Sequence, residues 1–195
     1  MIARVLESES DIDNALGLLY DVYVKEMNWN PSDGNASGYR IVDNKLYDNF
    51  VERSTYFGVY EGDKIISTGR VIHPGNTPVE IGQYLPNHSV LQGKTAELNR
   101  VAIPRKYFES IAPILLFESI FSWCFENLDA QNLVTTVGYP NPGQLFEKLG
   151  FEKASDAFRY GPTDLGDVYL YSLLNNQTNL MKVLNMLENL KELSA

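Results

Sequence analysis

The apolar positions of this chain change their spacing several times, and each change predicts a different element. Apolar residues three or four positions apart predict helices, alternating ones predict strands, and runs rich in Gly, Pro, Asn and Ser predict connections. In the first half, the pattern predicts a strand at 2–6, a helix from Ser10 or Asp11 to about Met27, a loop at 28–38, a short helix at 43–51, and a hairpin at 55–73 around Gly62-Asp63.

The second half alternates strands with helices. In order, the pattern predicts a connection at 74–94, a strand from Thr95, a helix from Pro113 to Leu128, a strand at 133–138, a helix opened by Pro140 and Pro142 and ending at Leu149, strands at 152–160 and 167–174, and an amphipathic helix at 179–193. This order implies an α/β (α+β) fold with one mixed sheet and helices on both faces. We expect a single domain over 1–195, with a core of about 1–174. The C-terminal helix packs either on the sheet or against a second subunit.

Residues 95–128 combine a strand, a basic turn and a helix with few polar positions. Pro104 ends the strand because proline cannot donate a hydrogen bond to a ladder, and Arg105 and Lys106 follow it. The helix is apolar on almost every face, which indicates burial on several sides. Glu97 and Arg100 lie on the strand itself. We therefore expect the active centre in this unit.

Composition excludes several classes of function. The 195 residues are 44% hydrophobic and 21% charged, as in ordinary globular domains, and the net charge of −9 argues against a nucleic-acid partner. Cys124 is the single cysteine, which excludes an internal disulfide and favours a reducing compartment. His73 and His88 have no cysteine near them, so we expect no metal site. The N-terminus lacks the apolar core of a signal peptide, and no apolar run is long enough to span a bilayer, so we expect a cytoplasmic protein.

The order of elements resembles that of the GNAT acyltransferase superfamily. Residues 141–154, NPGQLFEKLGFEKA, are similar to the late helix and turn of these enzymes. GNAT enzymes that use acetyl-CoA have a glycine-rich loop after the central strand, which holds the pyrophosphate of coenzyme A. Here residues 105–112 contain no glycine. The resemblance therefore narrows to members that do not need that loop.

Within the superfamily, the chain is similar to the acyl-homoserine-lactone synthases and to the long-chain N-acyl amino acid synthases. In those families a tryptophan after the first helix precedes an acidic cluster, an arginine ends the hairpin, and a Glu-x-x-Arg motif lies on the central strand. Lys45 stands where the lactone synthases have the middle acid, which favours the amino-acid type over an S-adenosylmethionine acceptor. The matching positions are Trp29, Asp43, Asp48, Arg70, Glu97 and Arg100. The resemblance implies a mostly antiparallel sheet that is splayed near its middle strand.

The catalytic candidates are Glu97 and Arg100. A glutamate among apolar neighbours can act as general base for an attacking amine, directly or through a water. The alternative is a structural pair of Glu97 with Arg100 or with Arg70. Residues three apart on a regular strand point to opposite faces, so Glu97 and Arg100 share a pocket only if the strand is bulged between them. The resemblance implies such a bulge.

The thioester donor is expected to lie against the end of the central strand. The backbone around Val101, Ala102 and Ile103 can bind a pantetheine arm as an added strand and polarise the thioester oxygen. Arg105 and Lys106 can hold the single phosphate of a phosphopantetheine. Coenzyme A needs a wider cradle, so the donor is expected to be an acyl carrier protein. The alternative is that these cations are ordinary surface charges.

The acceptor site has its own candidates, each with an alternative. Arg70 can pair with an acceptor carboxylate, or else form an ion pair with Glu97 or Asp48 that orders the site. Asp43 and Asp48 can contact the acceptor amine or fix Arg70, and Asp43 can instead cap a helix. Trp29 can cover bound substrate or simply pack. The aromatic side chains that can line an acyl tunnel or form plain core are Phe117, Phe121, Trp123 and Phe125.

These observations predict an enzyme that moves a medium or long acyl chain from an acyl-carrier-protein thioester to the amine of an amino-acid-like acceptor. No permanently bound cofactor is expected, and the oligomeric state stays open. An acidic carrier protein requires a basic island made by Arg105, Lys106, Lys148 and Lys153. The alternative is that these are ordinary surface charges, and this reading is favoured for Lys148 and Lys153. The alternatives are an N-acetyltransferase that uses acetyl-CoA or another short acyl-CoA, and a non-catalytic ligand-binding module with this fold.

Overall fold

The computed structural model of the chain describes residues 1–31, 34–87, 91, 93–138, 144–160 and 167–193. Its strands are β1 (Ile2–Leu6), β2 (Arg40–Val42), β3 (Lys45–Tyr47), β4 (Ser54–Glu61), β5 (Lys64–Ile72), β6 (Thr95–Ala102), β7 (Asn132–Gly138), β8 (Glu152–Lys153), β9 (Phe158–Arg159) and β10 (Asp167–Leu174). Its α-helices are α1 (Glu9–Leu19), α2 (Ala112–Asn127), α3 (Gln144–Lys148) and α4 (Gln177–Glu192). Short 3₁₀ turns are formed by Val51–Arg53, Glu80–Gln83 and Arg105–Tyr107.

One sheet organises the structure, in the order β1-β4-β5-β6-β7-β10, with β8 and β9 both paired to β10. Within the described residues, β6 and β7 run parallel, whereas the other neighbours in this sheet run antiparallel. The connection between β6 and β7 contains α2, as a parallel pair requires. The mixed, mostly antiparallel sheet expected from the sequence is confirmed.

Helices cover both faces of this sheet. On one face, α2 and α4 pack together, and Phe121 of α2 shares a buried cluster with Leu98 of β6. On the other face, α1 packs over β4 and β5, with Leu16 and Tyr56 in a second buried cluster. The C-terminal helix is thus placed against α2. None of the described helices has the length and apolar character needed to cross a membrane.

The middle of the sheet is both splayed and bulged. β6 pairs with β7 only at Thr95–Glu97, after which the two strands separate. On its other edge, β6 pairs Asn99 with Arg70 and Ala102 with Thr68, so one residue of β5 lies opposite two of β6. This extra residue is a β-bulge, and Arg100 within it has a φ of +52°. The splay and the bulge implied by the resemblance are both confirmed.

The prediction of a short helix at 43–51 is wrong. β2 and β3 form a small hairpin there, with Val42 opposite Lys45. Asp43 and Asn44 make its turn with φ angles of 50° and 59°. A two-residue hairpin turn requires such left-handed values, and Asp and Asn tolerate them better than most residues. The Asp-Asn pair was therefore a hairpin signal.

Helix α1 begins earlier than expected and changes character before Met27. Its N-cap is Ser8, whose Oγ accepts a hydrogen bond from the Asp11 N–H at 3.1 Å, not Ser10 or Asp11. From Tyr20 to Glu26 the helix is π-helical. Such wider turns often lie at functional sites, because they shift side chains relative to an α-helical register.

The region after β7 differs from expectation in one respect. The strand predicted at 152–160 is interrupted, since β8 and β9 are two short pieces that pair separately with β10. Gly150 has a φ of +85°, and its N–H donates to the Glu147 carbonyl at 2.9 Å, which confirms a helix end at this glycine. Pro140 and Pro142, expected to open that helix, lie outside the described residues.

We expect Phe121→Ala to lower the free energy of unfolding by about 3–5 kcal/mol, because this ring is fully buried and its removal leaves a cavity in the core. The matched control is Phe108→Ala, since Phe108 is 60% exposed. That variant should stay within about 0.5 kcal/mol of wild type. Urea denaturation of both variants makes the comparison, and equal losses would contradict the assignment of Phe121 to the core.

Candidate active site

Glu97 lies in the middle of the sheet, on the face opposite α2, and has no solvent exposure. Its two carboxylate oxygens accept hydrogen bonds from the Ile81 N–H at 2.8 Å and from Asn99 Nδ2 at 2.9 Å. Because side chains alternate along a strand, Glu97 and Asn99 share this face, whereas Ala96 and Leu98 join the core on the other.

Glu80 is the main site residue that sequence reasoning missed. It opens the 3₁₀ turn Glu80–Gln83 in the connection before β6 and is fully buried. Its carboxylate bridges two arginines, with Oε2 at 3.0 Å from Arg70 Nη2 and Oε1 at 2.5 Å from Arg100 Nη2. Tyr39 and Tyr160 also hydrogen-bond to it. In the sequence, Glu80 stands out only as a single acid between two apolar residues, Val79 and Ile81. The segment around it has neither the helical nor the alternating spacing that would predict its position.

Arg70 donates four hydrogen bonds within the protein. Nη1 donates to Asp48 Oδ1 at 2.8 Å, and Nη2 also lies 2.7 Å from Asp48 Oδ2 as an ion pair. The other N–H groups donate to the Tyr56 hydroxyl at 3.1 Å, to Asn99 Oδ1 at 2.8 Å and to Glu80. The geometry therefore favours the alternative in which Arg70 and Asp48 form an ion pair that orders the site.

Arg100 reaches the same cluster because of the bulge. Its guanidinium donates to Glu80 and to the Tyr39 hydroxyl, and its Nε lies 3.5 Å from Asp48 Oδ2. The guanidinium carbon is 4.4 Å from the centre of the Tyr39 ring and 5.9 Å from that of Trp29. Trp29 is 6% exposed and packs edge-on against Tyr39, so in this structure it packs around Arg100.

The five charged residues Asp48, Arg70, Glu80, Glu97 and Arg100 form what we call the buried charge cluster. Burial, and then the charge of Glu80, raise the pKa of Glu97 to about 8. Burial would also raise the pKa of Asp48, but the charge and hydrogen bonds of Arg70 hold it below its usual value. With Glu97 protonated, the cluster has two cations and two anions.

The other expected site residues lie at the edge of this cluster or away from it. Asp43 is exposed in the turn of the β2–β3 hairpin, and Lys45 pairs with Asp13 of α1 at 2.5 Å. Arg105 and Lys106 are exposed on the 3₁₀ turn that follows β6. Their role in holding the phosphate of a donor stays a prediction.

A cavity of about 320 Å³ opens where β6 and β7 separate. Asn99 and Arg100 line it from β6, next to the cluster, and Tyr160 lines it from the segment after β9. Burial and the charges of Glu80 and Glu97 raise the pKa of Tyr160 well above its usual value, so its hydroxyl stays protonated. The remaining lining residues are Tyr23, Met27, Val101, Phe117, Thr135, Thr136, Gly138, Phe146 and Val168.

The donor candidates on β6 lie beside this cavity. Val101 lines it, and its carbonyl accepts a hydrogen bond from the Tyr23 hydroxyl at 3.4 Å. Ala102 pairs with Thr68 across the other edge of the strand, and Ile103 follows directly. Of the tunnel candidates, Phe117 lines the cavity, whereas Phe121 is buried core, Trp123 packs against Phe57, and Phe125 packs on the core.

A larger depression of about 410 Å³ lies along residues 74–79 and 93–95. It contains no member of the buried charge cluster, whereas Arg100 of the cluster lines the smaller cavity. Among the described residues, no group of three or more His, Cys, Asp and Glu is arranged to hold a metal ion. Cys124 is buried, and burial raises the pKa of its thiol to about 12, which makes it unsuited as a nucleophile.

Comparison with known proteins gives matches at the level of structure. No protein-family model matches the chain, and no curated protein sequence matches it. FeeM, an N-acyl amino acid synthase from uncultured soil microbes, superposes with a TM-score of 0.69 at 18% identity, covering 96% of this chain and 97% of FeeM. BjaI, a CoA-dependent acyl-homoserine lactone synthase in complex with MTA, gives 0.72 at 13% identity, covering 96% and 89%. An acetyltransferase of the GNAT family from Streptococcus pneumoniae gives 0.57 at 17% identity, covering 89% and 99%.

This chain has the GNAT fold. The resemblance inferred from the order of elements and the Glu97–Arg100 strand is thereby confirmed for the fold, which the chain shares with an N-acyl amino acid synthase, an acyl-homoserine lactone synthase and a GNAT-family acetyltransferase. At identities of 13–18% the likeness concerns the fold. The reaction and its substrates must be argued from the site itself.

We expect Glu97→Gln to become more stable relative to wild type as the pH rises from about 6 to about 8. Native Glu97 keeps its proton up to a pKa of about 8, whereas the unfolded chain releases it near 4.5. The native state therefore binds more protons in this window, and wild-type stability falls as pH rises. The difference in free energy of unfolding between Glu97→Gln and wild type should therefore grow by up to about 1.4 kcal/mol per pH unit, as measured by urea titrations at each pH.

The matched control is Glu152→Gln, because Glu152 is exposed on β8. Its stability relative to wild type should not change across the same pH range. A Glu97→Gln difference that stays constant with pH would contradict the raised pKa.

Proposed function

We propose that this protein is an N-acyltransferase that transfers a medium or long acyl chain from an acyl-carrier-protein thioester to the amine of an amino-acid-like acceptor. The observation that supports this most directly is the contact between the buried charge cluster and the cavity at the splay. Arg100 belongs to both, and Asn99, which donates a hydrogen bond to Glu97, also lines the cavity. The candidate base is thus separated from the cavity by one side chain, that of Asn99.

Glu97 acts as the general base in this proposal. An amine attacks a thioester only when it has lost its proton, and a base with a pKa of about 8 matches that task near neutral pH. Glu97 does not line the cavity, since Asn99 lies between them. The proton therefore reaches Glu97 through a water, or directly after the acceptor displaces the Asn99 side chain.

The cavity accommodates the acyl donor. Its volume is at the lower end of the range for small-molecule sites, and Phe117, Phe146 and Val168 give it an apolar wall. Beyond Glu97, the edge of β6 is separated from β7 and can pair with the extended pantetheine arm. Backbone N–H groups near Val101, Ala102 and Ile103 then polarise the thioester carbonyl. The Tyr160 hydroxyl lines the cavity and can donate a hydrogen bond to the departing thiolate, which then takes its proton from solvent.

The donor is an acyl carrier protein because Arg105 and Lys106 offer exposed cations for one phosphate, without a glycine loop for a pyrophosphate. An acidic carrier also complements these cations on a chain of net charge −9. BjaI, which has the same fold, is CoA-dependent. An acyl-CoA donor is therefore the comparison that the experiment must include.

The acceptor is an amino acid because the cluster has matched charges of both signs. Arg100 lines the cavity and is bound to Glu80, so a carboxylate that enters can share its guanidinium. The acceptor amine then lies toward Glu97. FeeM, an N-acyl amino acid synthase, has the same fold, which agrees with this acceptor class.

We expect cells that express this protein to accumulate a series of N-acyl amino acids, detected by mass spectrometry of organic extracts. Glu97→Gln should reduce that series by about 10²–10⁴-fold while the fold stays intact, because the base is lost. Glu152→Gln, on the exposed β8, is the matched control and should match wild type. Full activity of Glu97→Gln would exclude Glu97 as the base.

An assay with the purified protein distinguishes between the two possible acyl donors. Acyl carrier protein and acyl-CoA with the same chain are compared at equal concentration, and a preference for acyl-CoA would overturn the carrier proposal. No product with either donor in vivo or in vitro would overturn acyl transfer and leave a ligand-binding role for this fold.

We expect Glu80→Gln to move the acid limb of the kcat/KM profile to lower pH. The negative charge of Glu80 is the second largest cause of the raised Glu97 pKa, so its removal allows Glu97 to ionise earlier. The pH dependence of kcat/KM measures this shift, with Glu52→Gln at an exposed position as the control. An acid limb that stays in place or moves upward would show that the limb does not report Glu97.

A further inference from the structure

Residues 80 and 81 supply two groups to the buried charge cluster although neither lies on the sheet. Glu80 gives the carboxylate that bridges Arg70 and Arg100, and the Ile81 N–H binds Glu97 at 2.8 Å. Both follow an irregular connection, 73–79, that leaves the end of β5. Their positions therefore depend on what fixes this connection.

Arg53 holds both ends of that connection. At its start, the Arg53 carbonyl accepts a hydrogen bond from the His73 N–H at 2.9 Å. At its end, Arg53 Nη1 donates to the Thr77 carbonyl at 2.9 Å and to Thr77 Oγ1 at 2.6 Å, and Nη2 donates to the Pro78 carbonyl at 2.8 Å. Glu80 follows Pro78 by two residues.

The Arg53 guanidinium is held in place by Phe50, which is connected to the buried charge cluster. Its carbon lies 5.3 Å from the centre of the buried Phe50 ring. The Phe50 N–H donates to Asp48 Oδ1 at 2.8 Å, so the stretch that places Arg53 also places Asp48. Gly75 leaves room for the arrangement, because a Cβ there would lie 3.0 Å from Arg53 Nη1. Arg53 thus connects two segments that both enter the cluster.

We propose that Arg53 is a positioning residue: by binding the carbonyls of Thr77 and Pro78, it fixes the segment that presents Glu80 to the two arginines and the Ile81 N–H to Glu97. The fork of an arginine reaches two adjacent carbonyls at once, which the single ammonium of lysine cannot do. Arg53 contacts neither the cavity nor the carboxyl groups of the cluster among the described contacts. Its effect on the reaction passes through residues 77–81.

Two variants test this role. Arg53→Met places an unbranched apolar side chain beside Phe50 and removes the three donated hydrogen bonds. Arg53→Lys keeps the charge and part of the hydrogen bonding, so it should restore part of the effect. Arg4→Met is the matched control, because Arg4 lies on β1 at the far edge of the sheet and forms an exposed ion pair with Asp11.

Amide hydrogen exchange at Ile81 is the first measurement, since it requires no activity. We expect Arg53→Met to exchange this amide roughly tenfold faster or more, because charge-assisted hydrogen bonds that hold the segment are lost. Core amides such as that of Ile120 should exchange at the wild-type rate. Unchanged exchange at Ile81, or equal acceleration at Ile120, would overturn the positioning role, the second case by indicating general destabilisation.

The second measurement, the pH profile of kcat/KM, rests on the proposed function. Glu97 faces Glu80 and Arg70, with weaker charge effects from Arg53 and Tyr160. If Glu80 moves away and water enters, the pKa of Glu97 falls. The acid limb of the kcat/KM profile of Arg53→Met should therefore lie at lower pH than that of wild type. The acid limb of Arg53→Lys should lie between the two. An active variant with an unmoved limb would overturn the role. An inactive wild type with altered Ile81 exchange would overturn the function and keep the positioning role.

Discussion

Five buried charges must neutralise one another for this fold to be stable. Removing one partner of a buried ion pair typically destabilises a protein by about 3–5 kcal/mol, because the remaining charge is left without compensation. Here three carboxylates face two arginines, so full ionisation would leave an excess negative charge. The excess is removed at Glu97, whose pKa burial and Glu80 raise to about 8. The residue to which the proposed reaction assigns the role of base is thus the one whose proton balances the cluster.

The bulge on β6 allows one strand to supply both members of this arrangement. On a regular strand Glu97 and Arg100 would point to opposite faces, and Arg100 would enter the apolar core beneath α2. The extra residue of the bulge turns the Arg100 side chain to the same face as Glu97. This requires a left-handed backbone conformation, which costs roughly 1–2 kcal/mol for a residue other than glycine. Contacts with Glu80, Tyr39 and Trp29 offset that strain. β7 separates from β6 after Glu97, just before this bulge, so the cluster and the cavity lie side by side.

The sequence was sufficient to predict where the candidate residues on regular elements would lie. Glu97, Arg100 and Arg70 stand on strands whose alternation is readable, and the resemblance supplied the bulge that alternation alone does not contain. Glu80 was missed because its position depends on long-range contacts with Arg70 and Arg100, and the local pattern of a connection does not encode them. The β2–β3 hairpin was missed because the three residues of β2 are all exposed, which leaves no alternation to read. Its turn residues, Asp43 and Asn44, were the remaining signal.

In the proposed reaction, the acceptor amine binds beside this balanced cluster. An ammonium group near Glu97 compensates the excess negative charge, which lowers the pKa of Glu97 toward its usual value. Glu97 then ionises in the presence of the acceptor, whereas without it the carboxyl group stays protonated near neutral pH. Glu97 and the amine thereby share one proton, and its transfer to Glu97 during attack returns the cluster to its neutral state. Burial of the base therefore serves both the stability of the resting protein and the proton transfer that the proposed reaction requires.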